Sequence, residues 1–171
     1  MTVRLAVAYG LAVSILVGPA SAADACDALT ARIIRATGAS LAGRAGSGAV
    51  FRAADAERMS LACRAPRRMV FGALSREPGR RFFILVGEAA AALTGAKAES
   101  VETLALTLHQ ESLLTGTSRR GRVGRADLRC ETGPRDDGLA GSLTVCLVTA
   151  AEPGSKILRR RAGLFAGRPA G

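Results

Sequence analysis

Arg125–Leu147 runs RADLRCETGPRDDGLAGSLTVCL. Its two ends, RADLRCE and GSLTVCL, have the alternation of half-buried strands. Thr132–Ala140 between them holds Pro134 and Asp137-Gly138, residues that favour a turn. Folding the segment about Gly138 sets residue 130 opposite residue 146, and both are cysteines. Cysteines directly opposite on antiparallel strands lie within bonding range. The stretch therefore predicts a disulfide-linked hairpin over about 123–149, and with it an antiparallel sheet.

Cys26 and Cys63 are the other two of the four cysteines. Four cysteines permit three pairings, which sequence alone does not choose between; the hairpin favours Cys130–Cys146 and with it Cys26–Cys63. Every gap between cysteines is wide. Zinc sites use close pairs such as C-x-x-C, and redox dithiols use the same spacing. Neither is present, and the single histidine, His109, is distant from every cysteine in sequence. No metal or cofactor is expected from this pattern.

Upstream, the chain alternates between helical and extended patterns. A first helix is expected from a cap at Asp24 or Asp27, with Leu29, Ile33, Ala36 and Leu41 on one face and Gly43, Gly46 and Gly48 ending it. Val50–Ala54 is a short extended run, Asp55-Ala56-Glu57 a turn, and Met59–Cys63 a half-buried strand. Pro66-Arg67-Arg68 interrupts, and Met69–Leu74 resumes. Pro78–Thr94 is the most helical stretch, capped from Ser75 or Glu77 and closed by Gly95. Phe82, Val86, Ala89 and Leu93 form its stripe, widened by Phe83, Leu85 and Ala90, as in a central buried helix. Val101–His109 is ambiguous: Leu104, Leu106 and Leu108 alternate with Thr103, Ala105 and Thr107, which favours a strand, while Val101, Leu104 and Leu108 also fit a helix. Gly116–Gly124 has the composition of a basic, glycine-punctuated loop. The sum is an α+β domain: an antiparallel sheet with about two helices packed on one face and two disulfides. No internal repeat has matching spacing.

The amino end points to a compartment. A charged start, Met1–Arg4, leads into the apolar run Leu5–Val17 and then Ala20-Ser21-Ala22, a small-residue cleavage site. This order is that of a cleavable secretory signal over residues 1–22. The run is too short to span a bilayer comfortably, which takes about 20 residues. A lipidated Cys26 fits poorly, because Ala23-Asp24-Ala25 lacks the large apolar residue such signals carry, and three cysteines would remain. Disulfides suit the periplasm or the exterior. The expected organisation is a signal at 1–22, one domain at 23–151 and a flexible basic tail at 152–171.

The chain of 171 residues has a formal charge of +10, and only Lys97 and Lys156 are lysines. Arginine carries the rest, and asparagine is absent. A GC-rich coding sequence would produce this bias, so charge alone does not name a partner. Two arginine clusters are candidate anion sites: Arg119, Arg120, Arg122 and Arg125 among glycines, and Arg159, Arg160 and Arg161 beside Lys156 in the tail. Arginine forks match phosphate and carboxylate. With Ile157, Leu158, Leu164 and Phe165, the tail also suits an anionic membrane surface. Nucleic acid is disfavoured by export and by the shortage of aromatics for stacking.

Catalytic patterns are weak. His109 has Glu111 and Ser112 nearby, but neighbours in sequence do not make a triad. Asp136-Asp137 suits a turn, and Glu99 with Glu102 suits an element start. Gly43–Gly48 lacks the G-K-[ST] ending of a phosphate loop and is expected to be a linker. The function expected is a small exported, non-enzymatic binding or scaffold domain. The alternatives are an envelope protein holding anionic lipid or polysaccharide through its tail, and a hydrolase using His109.

Overall fold

Two antiparallel meanders meet edge to edge in the middle of one sheet. The computed structural model describes residues 22–134, 141 and 143–151. Residues up to 21, which include most of the expected signal, Asp136-Asp137, Gly138 and the stretch from residue 152 lie outside them. The chain runs α1 (Ala22–Thr37), β1 (Ser40–Ala45), β2 (Gly48–Ala53), β3 (Ala56–Ala62), β4 (Arg68–Ala73), α2 (Arg80–Thr94), α3 (Ala98–Thr115), β5 (Arg119–Val123), β6 (Ala126–Thr132) and β7 (Thr144–Ala150). The sheet order is β1-β2-β3-β4-β7-β6-β5, and every neighbouring pair is antiparallel. The expected α+β class, the antiparallel sheet and both disulfides are observed.

Alternation along the strands sends one set of side chains to the helices. Phe51, Met59, Met69, Phe71, Leu128 and Val148 are all buried on that face. The three helices pack over it, with α2 between α1 and α3. The α2 helix is buried almost all round, as its composition required, and Phe82 meets Phe83 edge to face at 5.3 Å. Gly87 lets α3 approach α2 closely.

Cys130 and Cys146 are register partners with Cα atoms 4.2 Å apart, and their sulfurs are bonded. This close spacing is that of a non-hydrogen-bonded antiparallel pair. Cys26 in α1 is bonded to Cys63, just beyond β3, across a Cα separation of 5.6 Å. Arg44 in β1 adds an ion pair to Asp27 of α1.

Four local expectations change. Val101–His109 is helical, within α3. Its leucines do alternate, but Val101, Ala105, Leu108, His109 and Ser112 form a buried stripe at helical spacing. Its threonines are accommodated because the Thr103 and Thr107 hydroxyls donate to Glu99 and Thr103 carbonyls one turn back. This segment supplies the third helix. Second, α1 stops at Thr37, where Gly38 takes φ 66° and its N–H donates to Ile34 O at 2.9 Å. Leu41 and Gly43 therefore belong to β1, and Gly46 (φ 54°) is in the turn to β2, so Gly43–Gly48 is a hairpin and not a linker. Third, most of the basic stretch after Gly116 is strand β5. Fourth, α2 is preceded by Gly79 with no side-chain cap from Ser75 or Glu77, although Gly95 closes it as expected.

Candidate functional site

His109 is buried, with its ring 5.2 Å from that of Phe83, and its Nδ1 has no hydrogen-bond partner. Burial pushes its pKa below the ordinary value, partly offset by the Glu77 carboxylate. Ser112, one turn on, is committed elsewhere: it accepts from the Thr132 N–H at 3.0 Å and lies 3.2 Å from the Thr132 hydroxyl. Ser112 thus ties α3 to β6, whereas His109 packs against Phe83 of α2, and the two side chains are not hydrogen-bonded to each other. Glu99 lies in the first turn of α3, and Glu102 accepts from Arg80 at 2.9 Å. No group of three metal-ligating side chains gathers among the described residues.

The arginine cluster at 119–125 is divided by the alternation of β5. Arg119 shares the helix-side face with its partner Cys130. Arg120 and Arg122 are on the opposite face, and Arg125 is in the turn, where its carbonyl accepts from Ala151. Arg159, Arg160 and Arg161 lie outside the described residues.

That opposite face is the most distinctive surface of the domain. No described helix packs on it. Register places Val50, Ser60, Val70, Leu147, Arg129 and Arg120 in one row across β2-β3-β4-β7-β6-β5. The next row holds Ala62, Arg68, Thr149, Asp127 and Arg122. An apolar centre is thus bordered by arginine.

Two hollows occupy this face. One, of about 380 Å³, is lined by Arg120, Arg122, Asp127, Arg129, Leu147 and Thr149 among others. The second, of about 220 Å³, is lined by Val50, Ser60, Ala62, Arg68 and Val70 among others. Arg68 and Thr149 are direct register partners, so the two hollows adjoin across the β4–β7 seam.

Charges in the larger hollow are unequally matched. Arg122 donates to both carboxylate oxygens of Asp127, from Nη2 at 2.7 Å and from Nε, and this raises the Arg122 pKa further. Arg129 donates to Glu131 at 2.7 Å through Nη2, while its Nε is buried without a partner. Arg120, directly opposite Arg129, has no ion-pair partner among the described residues, and nor has Arg68. Like charges placed directly opposite on a sheet disfavour each other. An oxyanion between them would relieve that repulsion and satisfy the guanidinium forks.

Sequence reasoning found Arg120 and Arg122 but missed Arg68 and Arg129. The period of two in Asp127-Leu128-Arg129-Cys130-Glu131 carries the signal for Arg129, since it places three charges on the face away from Cys130. Nothing in the sequence sets Arg68 beside Thr149, because that contact joins strands from opposite halves.

No protein family matches this chain, and neither a curated protein nor a solved structure matches it.

Proposed function

We propose that this chain is an exported, disulfide-linked binding domain whose open sheet face takes an anionic partner. The observation that carries the reading is the Arg120–Arg129 pair: two arginines opposite each other, in a hollow, with Arg120 uncompensated. Export is supported by the signal-like order of residues 1–22 and by the pairing of all four cysteines. Among the described residues no helix is long and apolar enough to cross a membrane. A binding role without catalysis fits the separate commitments of these side chains, His109 packed against Phe83 and Ser112 bonded to Thr132.

Retention of the full chain on an immobilised anionic polysaccharide, eluted by salt, tests this reading. Replacing Arg68 and Arg120 together with alanine is expected to lower the eluting salt concentration markedly. Replacing Arg159, Arg160 and Arg161 with alanine is expected to matter less. The reverse order would move the anion site to the tail. Equal elution of all three proteins would remove the proposal.

A further inference from the structure

The larger hollow has a mixed character that narrows the partner. It contains a surplus of guanidinium, but it also contains the Asp127 carboxylate, with Glu131 bonded to Arg129 at its edge. A carboxylate has about four lone-pair positions. Asp127 commits two of them to Arg122. The Thr149 hydroxyl stands opposite Asp127 on the same face, and Leu147 gives the floor an apolar patch.

Such a set discriminates between anions. A polymer that carries phosphate or sulfate esters in place of its hydroxyls offers Asp127 only further acceptors and is repelled there. A ligand with many hydroxyls and one carboxylate per ring meets every group productively. Its carboxylate lies between Arg120 and Arg129, its hydroxyls donate to Asp127 and Thr149, and its carbon-bound faces rest on Leu147. The second hollow extends the surface from Arg68 on β4 to Val50 on β2, about 10 Å at the usual strand spacing, so the row from β5 to β2 spans about 24 Å. Length and chemistry together match several linked units.

We infer that the open face binds an acidic polysaccharide built of hexuronate units, with one uronate carboxylate held between Arg120 and Arg129 and its neighbouring hydroxyls accepted by Asp127. This rests on the anion-binding reading above and specifies its partner.

The test uses the full chain titrated calorimetrically with oligogalacturonate, heparin, a neutral dextran and phosphatidylglycerol vesicles. Saturable binding of oligogalacturonate, with none of dextran, is expected. Arg120→Ala should weaken it about tenfold, the scale of one charge-assisted contact. Asp127→Ala is the decisive variant, since it frees Arg122 and makes the face more positive. It should weaken oligogalacturonate several-fold while strengthening heparin. Thr149→Val should likewise weaken oligogalacturonate and leave heparin unchanged. If Asp127→Ala tightens both polymers, the face attracts charge without regard to hydroxyls; this inference fails and the anion-binding reading stands. Vesicle binding without oligogalacturonate binding also overturns the inference. No binding to any of the charged probes sinks both.

Discussion

The carbonyl oxygen of Ala98 lies 2.6 Å from where a β-carbon on Gly87 would stand. Gly87 is in the middle of α2, and Ala98 opens α3, so the contact fixes how closely the two helices cross. Alanine has the better helix propensity, by about 1 kcal/mol. Here the clash is with backbone, which cannot swing aside. Gly87→Ala is therefore expected to destabilise the fold, by about 1–3 kcal/mol, as measured by urea denaturation. A neutral or stabilising result would mean that α3 is free to slide.

Both disulfides should carry stability, because each closes a loop in the unfolded chain. The separations are 37 residues for Cys26–Cys63 and 16 for Cys130–Cys146. Loop-closure estimates give about 4 and about 3 kcal/mol respectively, depending on the model used. Peptide mapping without reductant should recover these two linkages, and replacing either pair with alanine should lower the denaturation midpoint. Intact-mass measurement of material from an exporting host should show a chain beginning at Ala23 with no alkylatable thiol.

Acid sensitivity is expected from His109. Its pKa in the fold is depressed by burial, so the fold holds the neutral ring and the unfolded chain binds the proton more readily. The contribution is fully present above the ordinary value of about 6.5 and is lost as pH falls from there through the depressed value. His109→Gln should flatten the stability difference between pH 7.5 and 5.5 relative to the unaltered chain, measured by denaturation at each pH. A parallel loss in both proteins would assign the acid sensitivity to the carboxylates instead.

The Ser112 hydroxyl is the acceptor for a backbone N–H in β6. Ser112 is fully buried, and Ser112→Ala leaves the N–H of half-buried Thr132 without that partner. The expected cost is about 1–3 kcal/mol, and hydrogen exchange at Thr132 should accelerate selectively.

What was legible in the sequence follows the range of the interactions. The Cys130–Cys146 hairpin was readable because its register is set by residues close in the chain. The α2 helix was readable because its apolar stripe is wide. Val101–His109 misled because alternating leucines fit either period, and only packing against α2 decides between them. The strand β1 was hidden because SLAGRA has no apolar alternation and gains its place from pairing with β2. The candidate site was half visible. Arg120 and Arg122 stand out as a cluster, but the face they share with Arg68 exists only once β4 lies against β7.

That β4–β7 pairing has a mechanical consequence. Each sulfur bridge lies wholly within one half of the chain, Cys26–Cys63 in the first and Cys130–Cys146 in the second. No disulfide spans the seam; the ladder, the helix α2 above it and the Thr144 hydroxyl, which donates to the Ser75 and Arg76 carbonyls, hold the leaves together. Pulled from its two ends, the oxidised molecule should part there first, like a book opening at its spine. Each leaf would then stay internally stitched, a partial opening of the kind that cooperative subunits of a domain undergo.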